Sequence, residues 1–98
     1  MTRVDLIKTD EARVARICLA AGEISPAHFH SMVVEHIVCL RGEVGIQIDS
    51  SGDTKYLSPG QICEIAPQTR HHLVNPGDSE SEILLVQKGA YDFVTVNS

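Results

Sequence analysis

Three histidines and one glutamate fall within nine residues of a largely apolar stretch, "HFHSMVVEH" (residues 28–36). Imidazole nitrogens and carboxylate oxygens together suit Fe(II), Mn(II), Ni(II), Cu(II) and Zn(II). His28 and His30 are two residues apart, so on a β-strand both side chains leave the same face. Two such rings can close on one ion, which makes the stretch a candidate metal site. The alternative is a set of surface histidines on the loop after Pro26.

Glu35 follows His30 by five residues. In an uninterrupted strand, that odd spacing would place its carboxylate on the opposite face. A turn or bulge at Ser31-Met32 would instead put Glu35 on the next strand, facing back toward the histidines. The spacing is therefore compatible with a cluster of two histidines and one carboxylate, but it does not enforce one.

The elements that would position these side chains are short. Apolar runs are separated by Gly, Pro, Asn, Asp and Ser at intervals of about 10 residues, a spacing typical of an antiparallel sandwich or barrel. No apolar period of 3.6 residues is sustained long enough to indicate a long helix. We predict an all-β fold of about seven or eight strands. The predicted strands lie near residues 14–20, 33–40, 44–49, 54–57, 61–66, 71–74 and 81–87.

Alternation within the runs predicts which side chains face the core. Alternate residues of a strand share one face of a sheet. In "EVGIQID" the apolar residues Val44, Ile46 and Ile48 share one face, which is predicted to face the core. In "QICEIA" Cys63 and Ile65 share the face opposite to that of the neighbouring isoleucine and glutamate.

The run "VVEHIVCL" differs because both of its faces carry apolar residues. Glu35 and Ile37 lie on one face, whereas His36, Val38 and Leu40 lie on the other. A strand that is apolar on both sides is covered on both sides, so its outer face needs another sheet or another subunit. We therefore expect a homodimer.

The composition excludes several kinds of partner. The 98 residues predict one domain, and the net charge is −5, with eight Lys and Arg residues scattered singly. No basic patch is available for nucleic acid. The start, "MTRVDLIKTDEARV", lacks the apolar region of a signal peptide, and no apolar run approaches the roughly 18 residues that span a membrane. We expect a cytoplasmic protein whose three widely spaced cysteines are buried thiols.

The stretch "GEISPAHFHSMVVEHIVCLRG" (residues 22–42) resembles the first signature motif of the cupin superfamily. That motif consists of Gly, five residues, His-x-His, three or four residues, Glu, six residues and Gly. The matching residues are Gly22, His28, His30, Glu35 and Gly42.

The stretch "GQICEIAPQTRHHLVN" (residues 60–75) resembles the second cupin motif, in which Gly and five residues precede Pro-x-Gly, two residues, His, three residues and Asn. The matching residues are Gly60, His71 and Asn75. Ala66 stands where the motif has Pro, and Gln68 stands where it has Gly. These departures affect the turn before His71 rather than the histidine itself.

The resemblance implies one cupin domain over residues 1–98, built as a small antiparallel β-barrel or double-stranded β-helix of the jelly-roll type. It also implies one divalent transition metal, which would be Fe, Mn, Ni, Zn or Cu. The four metal ligands that it implies are His28, His30, Glu35 and His71. By strand parity His36 and His72 then point away from the site.

Within this resemblance we expect a metal-dependent enzyme of dioxygenase, isomerase or lyase type that acts on a small oxygenated molecule. The alternatives are a non-catalytic module that binds a small acid or sugar through the metal, and a structural dimer with a vestigial site. Four protein ligands leave about two positions of an octahedral ion open for a ligand. Arg16, for an anionic group, and Gln47 are the predicted substrate contacts; the alternative for Arg16 is a surface position.

Overall fold

The computed structural model describes residues 1–49 and 51–96. Ten β-strands account for the regular structure of these residues, which include no helix long and apolar enough to cross a membrane. In chain order the strands are β1 (Thr2–Lys8), β2 (Ala12–Leu19), β3 (His28–Phe29), β4 (Val34–Arg41), β5 (Val44–Ile48), β6 (Thr54–Leu57), β7 (Ile62–Ile65), β8 (His71–Val74), β9 (Ser81–Lys88) and β10 (Val94–Thr95).

The strands form two five-stranded antiparallel sheets. Sheet one has the order β1-β2-β9-β4-β7, and sheet two has the order β10-β3-β8-β5-β6. The chain crosses repeatedly between them, since β3, β5 and β8 belong to sheet two whereas β4, β7 and β9 belong to sheet one. Two sheets connected in this way form a jelly roll. The predicted all-β antiparallel fold is confirmed.

The facing sides of the two sheets share one apolar core. Val44 and Ile46 on β5 are fully buried, and Cys63 and Ile65 on β7 belong to the same cluster. Ile48 is half-buried and packs against it. The predicted inward faces are therefore confirmed, because a strand with one apolar face is stable only when that face is covered.

Three strands, β1, β3 and β10, were absent from the predicted set. All seven residues of β1 are exposed, and this strand lies at the edge of sheet one, where it pairs with β2. Its sequence, "TRVDLIK", lacks the apolar run that marks a covered strand. β3 and β10 have only two residues each, which is too short for any periodicity to be recognised.

Gln68 has a φ of +64° and is the one non-glycine residue with a positive φ in the described part of the chain. It occupies the position at which the second cupin motif has glycine. Its backbone N–H donates to the carbonyl oxygen of His30 at 2.7 Å. The turn before His71 thus keeps a conformation suited to glycine, at a cost of roughly 1–2 kcal/mol for a residue with a side chain.

Replacing Gln68 by glycine is expected to raise the free energy of unfolding by about 0.5–1 kcal/mol. The gain is smaller than the relieved strain because glycine adds conformational entropy to the unfolded chain. Urea denaturation measures the change. The control is Gln61→Gly, which removes a side chain that accepts a 2.9 Å hydrogen bond from the Ser58 N–H and should lower stability. A Gln68→Gly protein no more stable than wild type would contradict the assignment of strain.

Candidate metal centre

Three histidines and one glutamate converge between the two sheets. Each offers one ligand atom, and these atoms all lie within 4.8 Å of one another. The four residues are buried, with exposed fractions of 7% or less. Buried ionisable groups require partners, and these groups find them in one another and in the main chain. The residues are His28, His30, Glu35 and His71.

The two sheets supply different members of this cluster. His28 on β3 lies opposite His71 on β8 in sheet two, and His30 directly follows β3. Glu35 lies on β4 in sheet one. Residues 31–32 form a bend between the sheets, so that Glu35 faces back toward the histidines. The break at Ser31-Met32, which was the condition for Glu35 to join the histidines, is therefore present.

The Nδ1 atoms of the three histidines each bond to a main-chain carbonyl oxygen. The acceptors are Pro26 for His28 at 2.9 Å, Thr69 for His71 at 2.8 Å, and Asp92 for His30. A carbonyl oxygen can only accept, so each Nδ1 carries a proton and each Nε2 is the nitrogen available as a ligand. Partners of this kind fix the rings of metal-binding histidines.

The carboxylate of Glu35 lies at the centre of the cluster. Its Oε1 is 3.1 Å from Nε2 of His71, and its Oε2 is 3.1 Å from Nε2 of His30. Oε2 also accepts a 2.8 Å hydrogen bond from Nε2 of Gln87. Burial raises the pKa of Glu35, but the hydrogen bonds outweigh burial and hold that pKa well below its ordinary value. The carboxylate therefore stays ionised, the form that binds a cation.

Two of the imidazoles differ in pKa. Burial lowers the pKa of His28 and favours its neutral form. Burial also acts to lower the pKa of His30, but hydrogen bonds to the Glu35 carboxylate and the Asp92 carbonyl reverse this effect and raise it. Metal ions bind neutral imidazole. Burial thus favours the ligand form of His28, whereas the two hydrogen bonds of His30 favour its protonated form, with which an ion would compete.

The spacing and chemistry of these atoms fit one divalent transition ion. Two ligand atoms about 2.1 Å from an ion and at right angles are about 3 Å apart. Each Glu35 oxygen is 3.1 Å from one imidazole nitrogen, and one ligand atom from each of the four residues lies within 4.8 Å of the others. Three imidazoles and one carboxylate are the donors that Fe, Mn, Ni, Zn and Cu accept, and they would lower the charge of a bound dication to about +1.

The remaining histidines face away from the cluster, as strand parity predicted. Nε2 of His36 is 3.0 Å from a carboxylate oxygen of Glu64 on the outer face of sheet one. Nδ1 of His72 is 3.3 Å from a carboxylate oxygen of Asp49. Both are partly exposed surface pairs, so neither histidine adds a donor to the cluster.

The two predicted substrate contacts lie on the wrong faces. Arg16 is on the outer face of sheet one, where it pairs with Glu82 at 3.5 Å and half of its side chain is exposed. Its neighbour Ala15 takes the inward position. Gln47 pairs with His72 on the outer face of sheet two. The expectation that Arg16 and Gln47 face the site is therefore wrong, because strand parity directs both side chains outward.

Two other polar residues, Gln87 and Arg3, lie near the cluster instead. Gln87 is 2% exposed and follows Ile83 and Leu85 along the inward face of β9. In "SEILLVQ" Gln87 is the polar residue on the face that otherwise carries Ile83 and Leu85, and this position could have identified it. The guanidinium of Arg3 on β1 donates to Oε1 of Gln87 at 3.2 Å. No sequence pattern indicated Arg3, since β1 lacks an apolar run.

A cavity of about 70 Å³ lies beside the cluster. The Phe93 ring stacks on the His28 ring, with centroids 4.3 Å apart and planes 18° from parallel. Apolar side chains from both sheets and residues near the carboxyl end of the chain form the remaining walls. The apolar and aromatic lining residues include Ile17, Leu73, Leu85, Tyr91 and Phe93. A small molecule can therefore reach the donor atoms.

Comparison with known proteins places these features in a family. The family model described as cupin domain matches residues 15–87. Mannose-1-phosphate guanylyltransferase of Escherichia coli strain K12 is 32% identical over 82 residues, which cover 84% of this chain and 17% of that protein. The chain thus spans about a sixth of the length of the curated relatives that it matches.

Solved structures share the fold. A protein with a double-stranded β-helix domain from Klebsiella pneumoniae superposes with a TM-score of 0.87 at 18% identity, covering 99% of this chain and 84% of that one. Oxalate oxidase in complex with the substrate analogue glycolate superposes with a TM-score of 0.78 at 22% identity, covering 88% of this chain and 46% of that one.

Proposed function

The chain belongs to the cupin family, and we propose from its site that it is a metal-dependent enzyme that converts a small oxygenated molecule. One divalent transition ion would be held by His28, His30, Glu35 and His71. The observation that carries the proposal is the set of three main-chain carbonyls that leave every Nε2 available beside one ionised carboxylate. So much orientation of buried rings is typical of metal sites.

The residues around the donors suit catalysis better than a structural site. A bound ion with open positions would act as a Lewis acid toward an oxygen of the substrate. The cavity gives a molecule access from one side, while Leu73 and Leu85 keep the surroundings apolar. A low-polarity environment strengthens each electrostatic contact with the substrate. Gln87 holds Oε2 of Glu35, so that the carboxylate keeps its orientation as the substrate enters.

One solved protein of this fold acts on a small oxygenated molecule. Oxalate oxidase, whose complex contains glycolate, has the same fold at 22% identity. That likeness establishes the fold alone. For this chain we propose a reaction of dioxygenase, isomerase or lyase type, which assays can distinguish. The guanylyltransferase activity of the curated relatives belongs to proteins several times longer.

Metal analysis followed by turnover assays tests the proposal. Purified protein should contain, or take up on reconstitution, about one transition ion per chain. Iron would direct assays to oxygen consumption with catechols, diketones or thiols, whereas zinc or manganese would direct them to isomerase and lyase reactions. A chain that takes up no transition metal would refute the proposal. A loaded chain that binds small acids or sugars but turns none over would instead be the non-catalytic binding module.

Replacing Gln87 by leucine is expected to weaken metal binding about 10–100-fold, the usual loss when an outer partner of a metal ligand is removed. The substitution deletes the 2.8 Å hydrogen bond that orients Glu35. Competition with a chromogenic chelator measures the affinity. Gln61→Leu changes a glutamine on the exposed surface and serves as the control. Equal metal affinities of the Gln87 variant and wild type would show that Glu35 needs no such support.

We also propose that the outer face of sheet one joins two copies of the chain. Arg16, Leu84, Val38 and Ile62 form one row across four strands of that face. Ile62 is 54% exposed although it lies beside other apolar residues. A two-fold axis between β9 and β4 would place β2, with its basic Arg16, against β7 of the second copy. This arrangement would cover the apolar face and bring Arg16 near Glu64 of the second copy.

Substituting Val38 by glutamate is expected to convert a dimer to monomers, because a charge in the middle of the row would be buried unpaired. Light scattering measures the mass, and circular dichroism checks that the variant is folded. Tyr56→Glu places the same charge at an exposed apolar side chain of sheet two and should leave the mass unchanged. A wild-type protein that is monomeric at high concentration would refute this interface.

A further inference from the structure

We propose that Arg3 binds the carboxylate of the substrate, so that the site takes small carboxylic acids with a second oxygen donor. This inference rests on the proposed function, in which that second oxygen occupies an open position of the ion. It assigns the anion-binding role to β1, the strand at the edge of sheet one.

Strand register brings Arg3 to the cavity. Arg3 pairs with Ile17 of β2, whose side chain lies in the core, so both residues face inward. Because β1 is an edge strand, the long side chain of Arg3 lies at the rim of the sandwich rather than within its core, and 31% of it is exposed. The residue lines the cavity together with His28 and His30.

Arg3 is the one side chain with a permanent positive charge among those that line the cavity in the described part of the chain. The negative charge of Glu35 would be neutralised by the ion, and the histidines that bind it would be neutral. The cavity with its ion would therefore present two cationic groups, the ion and the guanidinium, of which the guanidinium is also paired with Asp5 at 2.9 Å. Two such centres match a ligand with one anionic group and one further oxygen donor.

Hydrogen bonds direct the guanidinium toward the donors. Nε of Arg3 donates to Asp5 at 2.9 Å, and Nη2 donates to Oε1 of Gln87 at 3.2 Å. Gln87 in turn donates to Glu35, so three polar residues join the guanidinium to the site. These two bonds use two of the five N–H groups of an arginine. The remaining groups can form the paired bonds that arginine makes with a carboxylate.

The lining of the cavity limits the acid. Its volume is about 70 Å³, and the apolar side chains of Ile17, Leu73 and Leu85 offer no partner for further charges. We therefore infer a small acid with one carboxylate and a hydroxyl or carbonyl oxygen next to it.

Calorimetric titration of the zinc-loaded protein with racemic lactate and with its neutral amide, lactamide, tests this role. Zinc avoids redox turnover, and the readout is affinity rather than activity. Arg3→Gln should weaken lactate binding roughly tenfold or more, as expected for a lost charge-assisted hydrogen bond, and leave lactamide binding and zinc content unchanged. Arg3→Lys should give an intermediate lactate affinity, because an ammonium keeps the charge without the fork.

Arg16→Gln is the matched control, since it removes an arginine from the outer face of the neighbouring strand and should leave both affinities unchanged. Wild-type protein that binds lactate no more tightly than lactamide would overturn the inference. So would a lactate affinity that Arg3→Gln leaves intact. Either result with zinc still bound would leave the proposed function standing, whereas a wild-type chain that holds no zinc or other transition metal would refute that function itself.

Discussion

His71→Ala is expected to lower the bound metal from about one ion per chain to a small fraction of that amount, because it removes a ligand rather than an outer partner. Losses of outer partners alone reach about 100-fold in affinity, so the loss of a ligand should exceed that factor. His71 is fully buried, its Nδ1 is bonded to the Thr69 carbonyl, and its Nε2 is 3.1 Å from Glu35. No other described histidine can take its place, since His36 and His72 face outward.

The adjacent histidine supplies the control. His72→Ala removes the same side chain one position later, where it pairs with Asp49 on the surface, and should leave metal content unchanged. Elemental analysis after reconstitution and gel filtration measures both variants. Metal retained at the wild-type level by His71→Ala would remove this residue from the site.

A second variant guards against misfolding. Replacing a large buried side chain by alanine leaves a cavity that costs on the order of 2–5 kcal/mol, so His71→Ala could lose metal by losing its fold. Glu35→Gln preserves the size of the side chain and removes only its charge. It should also lose the ion while melting cooperatively, because the site would then lack its one anionic donor. Metal bound by a folded Glu35→Gln protein would contradict the four-ligand arrangement.

The sequence predicted the four residues of the cluster, but it did not predict the polar residues that line the cavity. Parity placed His28 and His30 together and turned His36 outward, and the cupin motif supplied His71 from a distant strand. The four side chains do lie together, because covered strands alternate and because the motif residues have fixed spacing. The identity of the sheet that carries each ligand depends on strand order, which single-strand patterns do not contain.

The substrate contacts could not be predicted in the same way. The prediction for Arg16 assumes that its face of β2 is inward, but both faces of that strand mix polar and apolar residues. Arg3 lies on an edge strand whose residues are all exposed, and its sequence has no apolar run like those that indicated the other strands. Gln87 was recognisable only as a polar interruption of an inward series. Functional polar residues break the patterns that sequence reasoning relies on.

The division of the four candidate ligands between two sheets would link metal binding to folding. Glu35 belongs to sheet one, whereas His28 and His71 belong to sheet two, so an ion would join the sheets across the core. An ion that binds only the folded chain adds about 2.7 kcal/mol of stability at a concentration 100 times its dissociation constant. Residues 31–32 connect the two sheets and therefore set the position of Glu35 relative to the histidines. The main chain of Met32 packs directly against Gly89.

Gly89→Ala is expected to lower the free energy of unfolding by about 3 kcal/mol or more, and the melting temperature by roughly 10–20 °C. Gly89 has a φ of +123°, and a Cβ there would overlap the carbonyl oxygen of Met32. That oxygen is main chain and cannot rotate away, so the bend at residues 31–32 would have to move. Glu35 follows the bend by three residues, and metal affinity should therefore fall together with stability.

Gly22→Ala separates the steric effect from the conformational one. Gly22 also has a positive φ, of +71°, but a Cβ there would meet no atom within 4 Å. It should cost only the roughly 1–2 kcal/mol of a side chain in the left-handed region and leave metal affinity unchanged. Thermal melts and chelator competition compare the two variants. Equal losses of stability would show that backbone conformation alone accounts for Gly89. Unchanged metal affinity in a folded Gly89→Ala protein would show that the bend does not position Glu35.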